Sequence, residues 1–253
     1  AQITTMTERK PRLRNADKTP GPYPLSHFPT GFASSLGREV VYLLATRPAP
    51  TIEGQDWEQI FARLLGARWK PSNVGLDDVV LETTAWGAKT IKQDNPYAAK
   101  RIRLICGRNS PNYSFDEPKG VELGADAVGE MVLEIWNARV SAIRAKYENV
   151  RTVVLLKSDD LLELTMFEYE TVMFPPEEYR WEWNKNKNLE GYSRATDQHK
   201  FTWQPHGSQF TVIEEVPKKK LSIRIKQPPL LSPNQVLEMI DFDDSWVEVI
   251  ERP

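Results

Sequence analysis

The sequence predicts an α/β fold with a β-rich C-terminal extension, and three observations carry that expectation. Residues 125 to 148, "ADAVGEMVLEIWNARVSAIRAKYE", repeat apolar side chains at helical spacing and read as one long amphipathic helix. "RTVVLLK" (151 to 157) is an apolar run of strand length, the mark of a strand covered on both faces. From 175 onward, short runs such as "EYRWEW", "HKFTW", "QFTVIEEV" and "LSIRIK" alternate like strands and are broken by Pro, Gly and Asn.

Taken in order, residues 1 to 36 are polar and rich in proline ("PGPYPLSHFPTGF") and read as an N-terminal arm. "GREVVYLLATRP" (37 to 48) fits a strand or a short helix, because a short apolar run does not distinguish the two. In "GQDWEQIFARLLGARW", Trp57, Ile60, Phe61, Leu64 and Leu65 follow helical spacing, with Asp56 and Gln59 as the expected capping box and Gly66 as the stop. "GLDDVVLETTAWGAKTIK" (75 to 92) reads as a two-stranded hairpin, and "RIRLICGR" as a further strand. "LLELTMFEYETVMF" supplies one more strand after "RTVVLLK". The order from 56 to 157 is therefore helix, strand, strand, strand, long helix, strand. The expected division is an arm over 1–36, a core over 37–174, and an extension over 175–253 packed on that core.

Composition narrows the function classes. With 253 residues the chain can bury a sizeable core, and no apolar run approaches the roughly 18 residues of a membrane span. The single cysteine, Cys106, excludes an intrachain disulfide and a cysteine-rich zinc site, and a reducing cytoplasm is the expected compartment. The N-terminus lacks the apolar core of a secretory signal. Net charge is -2, yet "RKPRLR" (9 to 14), "KRIRLICGR" (100 to 108) and "KKKLSIRIK" (218 to 226) are basic runs without an acid. A locally basic cleft on a near-neutral protein is compatible with phosphate contacts. No Gly-rich phosphate loop, nucleophile elbow or dinucleotide fingerprint occurs.

The hairpin carries the chemistry. A turn at Thr83 and Thr84 would place Asp78 opposite Lys89 and put Asp78, Val80 and Glu82 on one face with Ala85, Gly87 and Lys89. A hard divalent cation wants carboxylate oxygens, and a neighbouring ammonium can position a water or stabilise charge developing on a phosphate. A cross-strand salt bridge at a sheet edge is the plainer use of the same pair.

The element order and "DVVLETTAWGAK" together resemble the PD-(D/E)XK nuclease superfamily, with Asp78 matching the family's Asp and Lys89 its Lys over about residues 56 to 157. The resemblance implies a mixed sheet flanked by helices, and Mg²⁺-dependent hydrolysis of a phosphodiester by an activated water. The family's second acid, two before the Lys, is here Gly87, so another carboxylate must serve. The order of candidates is Asp78, Glu58, Asp77, Glu82: Glu58 lies in the first turn of the preceding helix, Asp77 points to the opposite face of a regular strand, and Glu82 is about 13 Å along the strand from Asp78.

Within the superfamily the overall make-up is most similar to a type II restriction endonuclease. That implies a hydrolase acting on double-stranded DNA, and a palindromic site calls for a homodimer. Arg108 and Asn109, in the loop leaving "RIRLICGR", have the chemistry to read guanine and adenine. Lys185, Lys187, Arg194 and Lys200, among the C-terminal strands, are the expected backbone contacts. Trp181, Trp183, Phe201 and Trp203 alternate as core residues should. Two other readings remain: a DNA-binding or partner-binding protein on a core that has lost its acid at position 87, and a structure-specific repair or phage nuclease.

Overall fold

Strand β5 (Asn149–Lys157) carries its apolar run, Val153–Leu156, on both faces because it is central and covered on both sides. Val153 and Leu155 point into one core, and Val150, Val154 and Leu156 into another. The structure is a computed structural model that describes residues 19–71, 75–116 and 123–250. The expected basic run at 9–14 and the first part of the arm lie outside the described residues.

Among the described residues two sheets are formed. The first has six strands in the order β1 (Arg68–Trp69), β2 (Val79–Leu81), β3 (Thr84–Lys92), β5, β6 (Glu163–Glu170) and β11 (Leu221–Arg224). All its pairings are antiparallel except β3 with β5, which is parallel. The second has five antiparallel strands in the order β4 (Arg101–Arg108), β10 (Gln209–Glu215), β9 (His199–Gln204), β8 (Leu189–Ser193) and β7 (Tyr179–Trp183).

Helices α1 (Phe32–Thr46) and α2 (Gly54–Leu65) cover one face of the six-stranded sheet through Leu36, Val40, Trp57 and Phe61. The short α3 (Pro111–Phe115) follows β4, and the long α4 (Ala125–Arg144) lies against the other face together with the five-stranded sheet. That layer encloses Val132, Trp136, Trp181, Phe201, Trp203 and Phe210, so the aromatic alternation is core packing, with Trp183 partly buried beside it. Among the described residues, no helix is long and apolar enough to cross a membrane.

The N-terminal segment is tied to the first sheet by a buried polar network. Glu168 accepts hydrogen bonds from Tyr23 Oη (2.6 Å), Trp86 Nε1 (2.8 Å), the Ser26 amide (3.1 Å) and Arg151 Nη1 (3.3 Å). Arg151 Nη2 also donates to the Tyr23 carbonyl at 2.7 Å. A buried carboxylate is tolerated when it is paired and its lone pairs are occupied, and here both conditions hold.

Several expectations change. Residues 32–46 are a helix, so the first turn of α1 falls inside the expected arm. Asp56 sits in the third position of α2, where its carboxylate accepts the Glu53 amide at 2.9 Å, and Gln59 takes no part in the cap. Gly66 ends α2 in the left-handed conformation, as expected of a stop. "RIRLICGR" leaves the first sheet and becomes the edge of the second, and the third strand beside β2 and β3 is instead the two-residue β1. The core and extension interleave: β4 joins four strands of the extension, and β11 of the extension completes the first sheet.

Candidate functional site

The hairpin turns one residue earlier than Thr83 and Thr84. Glu82 takes a left-handed φ of 50°, and Val79 faces Trp86, Val80 faces Ala85 and Leu81 faces Thr84. Continued by one residue, that register sets position 78 opposite Gly87, not Lys89. Glu82 is exposed in the turn itself, at the far end of β2 from Asp78, and takes no part in the site.

At position 87, where the resemblance expected an acid, a side chain has no room. A Cβ built on it would lie 2.7 Å from the Gly75 carbonyl oxygen and 3.3 Å from Leu76 Cα. These are backbone atoms, so any side chain at 87 would displace the segment that leads into Asp77 and Asp78. The same segment brings Gly75 beside Lys89: a Cβ at Gly75 would sit 3.8 Å from the Lys89 Nζ.

Asp78 is 3% exposed, and one carboxylate oxygen accepts a long 3.4 Å bond from the Ala88 amide of β3. Its carboxyl is pushed up to about 6, first by burial and next by the negative charge of Glu58, with Asp77 adding to the rise. The Lys89 ammonium and the Ala88 amide oppose the shift without cancelling it. Asp78, Glu58 and Lys89 therefore share one electrostatic site, drawn from β2, α2 and β3.

The short β1 holds the flanking acids. Trp69 Nε1 donates to Glu58 at 3.0 Å, and Lys70 Nζ donates to Asp77 at 2.9 Å. The Lys70 amide also donates to the Asp78 carbonyl at 2.7 Å, which carries the β1–β2 pairing one residue further. Trp69 and Lys70 did not stand out in the sequence. Their only signal was a tryptophan and a lysine three and four residues after the Gly66 stop.

The donor set suits a hard cation. The negative charge of Glu58 acts on the buried Asp78 carboxyl, and a divalent ion there would relieve that repulsion. Among the described residues, no three of His, Cys, Asp and Glu converge closely enough to cage a metal. Mg²⁺ fits such a place because it commonly takes one or two carboxylates and completes its shell with water and phosphate oxygens.

The expected DNA contacts are dispersed. Asn109 is fully buried: its amide donates to the Val132 carbonyl and accepts from Arg139, both at 2.9 Å, and its carbonyl receives Trp203 Nε1. It is a framework residue and cannot reach a base, which corrects the expectation. Arg108 beside it is exposed, as are Lys185 and Lys187 in the β7–β8 turn. Lys200 is paired with Glu214 at 2.9 Å, and Arg194 lies 4.0 Å from Asp126.

An open depression of about 550 Å³ is lined by Trp183, Asn186, Lys187 and His206 on the second sheet's loops, and none of Asp78, Glu58 and Lys89 lines it. Cys106 is buried, and desolvation pushes its thiol up to about 11, away from the reactive thiolate form. Compared with known protein families, curated proteins and solved structures, the chain matches none.

Proposed function

We propose that the chain is a nuclease of the PD-(D/E)XK type, a Mg²⁺-dependent endonuclease that cuts double-stranded DNA at a specific sequence in the manner of a type II restriction enzyme. The observation that carries the reading is the buried Asp78 carboxyl at the mouth of β2, with Glu58 of α2 and Lys89 of β3 acting on it. The surrounding order supports it: α2, then β1, β2 and β3 in an antiparallel run, then α4 and a β5 parallel to β3.

Asp78 and Glu58 would hold the ion, which when bound supplies Lewis-acid activation of water and neutralises phosphate charge. Lys89 offers an ammonium next to that position, suited to orient the attacking water and to stabilise the extra negative charge on the scissile phosphate. Trp69 fixes the Glu58 carboxylate by hydrogen bond, and Lys70 does the same for Asp77. Arg108, Lys185 and Lys187 offer exposed cations for phosphates, a contribution that falls as salt rises.

The test is cleavage of mixed-sequence duplex DNA with Mg²⁺ by the wild-type chain and by Asp78→Ala, Glu58→Ala and Lys89→Ala. Discrete fragments from the wild type, reduced about a hundred- to a thousandfold in each variant, are expected. A uniform smear would point to a structure-specific nuclease instead. Binding without cleavage under any divalent metal would overturn the enzyme reading in favour of a binding protein on the same core.

A further inference from the structure

Residues 232–250 are held by their own hydrogen bonds, and all of them but the half-buried Val236 are exposed. Ser232 caps α5 (Pro233–Met239), the Phe242 amide donates to the Leu237 carbonyl at 3.0 Å, and Trp246 packs edge-on against Phe242 with ring centres 5.6 Å apart. Yet Leu237, Met239, Ile240, Trp246, Val247, Val249 and Ile250 are all exposed, the last two at 82% and 75%. Runs of exposed apolar side chains on this scale mark a surface made for a partner. The segment also holds five acids, Glu238, Asp241, Asp243, Asp244 and Glu248, and no lysine or arginine.

The complementary surface is on β4. Among the described residues this strand is an edge of the five-stranded sheet and pairs only with β10. Its outward side chains are Arg101, Arg103 and Ile105, all exposed, with Ile105 at 55%. Arg101 and Arg103 bond lightly to the His199 carbonyl (3.2 Å) and Thr202 Oγ1 (3.4 Å) across the sheet face. Pairing with β10 is regular only from Arg101 to Ile105; beyond it the register shifts, and Arg139 takes the Cys106 carbonyl. A basic edge strand with an apolar residue next to its two outward arginines invites an added strand of opposite charge.

The geometry points to a reciprocal tail exchange between two copies of the chain, in which Trp246–Ile250 adds antiparallel to the β4 edge of the second copy. One register satisfies every position. Trp246 meets Ile105, Glu248 meets Arg103, and Ile250 lies along the Arg101 stem, while Val247 and Val249 extend the inner row of Leu104 and Ile102. The exchange is in trans because the tail is rooted at α1, where the Leu231 amide donates to the Ala45 carbonyl at 2.8 Å. Helix α1 lies on the face of the first sheet opposite to the layer that contains β4. Nineteen tail residues and the β4 edge on each copy approach the roughly 20–30 residues a side of a standard interface. The docking holds whether or not the chain cuts DNA.

Sedimentation velocity on the full chain tests it, with Glu248→Arg, Arg103→Glu, the two combined in one chain, and the two single variants mixed. Both positions are exposed, and unchanged circular dichroism checks that each variant folds. The wild type is expected to be a dimer, and each single reversal to weaken it about tenfold for each of the two symmetric contacts. The combined chain and the mixture of singles are both expected to regain the dimer. A monomeric wild type, single variants that associate normally, or failure of either combination to recover would overturn the exchange.

Discussion

Glu168 on β6 and Asp78 at the mouth of β2 are buried alike, at 2% and 3% exposure, and both are reached from the same strand. Trp86 of β3 donates to Glu168, and Ala88, two residues on, donates to Asp78. The surroundings then diverge. Glu168 takes four donors, one of them a guanidinium, while Asp78 takes one long amide bond and faces the negative charge of Glu58 and Asp77. Burial alone does not mark a functional acid. A carboxylate whose lone pairs are all spent is framework, and one left among like charges has interactions in reserve for a ligand.

The largest effect expected from that contrast is at Glu168. Glu168→Gln leaves Arg151 buried without its counter-charge and should cost about 3–5 kcal/mol in a urea or guanidinium titration. A loss under about 1 kcal/mol would break the framework half of the comparison.

Gly87→Glu, which places an acid where the resemblance expected one, should destabilise by about 1–3 kcal/mol and leave metal affinity unimproved by calorimetry, because backbone atoms fill the space. Asn109→Ala should cost about 1–3 kcal/mol through the abandoned Val132 carbonyl and Arg139, whereas Arg108→Ala should stay within about 0.5 kcal/mol by thermal melting. The smallest expected effects are at Lys185 and Lys187. Replacing either with Ala should leave stability unchanged and reduce the salt slope of DNA binding by about one.

What the sequence made legible follows the length of each pattern. The α4 stripe, the β5 run and the alternating aromatics each repeat over enough residues to fix their type, and the structure bears them out. The hairpin register was not legible, because Val79 and Val80 are both apolar and fit either face, so only the left-handed Glu82 decides the turn. β1 has two residues and no period to read. Arg151 and Glu168 are seventeen positions apart, and their buried pairing is visible only once β5 and β6 are side by side. At the site, Asp78, Lys89 and Glu58 were chosen from the hairpin faces and the resemblance; the expected Asp78–Lys89 cross-strand pairing is not formed, while Glu58 and Lys89 both act electrostatically on Asp78. Asn109 was misjudged because an amide suited to reading a base is equally suited to closing a loop onto a helix.

The difference in stability between the wild type and Asp78→Asn, followed from pH 4 to pH 8, tests the central contrast most directly. An acid raised from 3.8 to about 6 favours the folded state when protonated; that contribution is present in full below about pH 4 and is lost as pH rises through 6. Asn does not ionise, so the variant should gain on the wild type by on the order of 2–3 kcal/mol across this window, and Mg²⁺ should narrow the gap by stabilising the wild type alone. A difference that stays flat with pH and is untouched by Mg²⁺ would contradict the assignment of Asp78 as the unbalanced acid of a cation site.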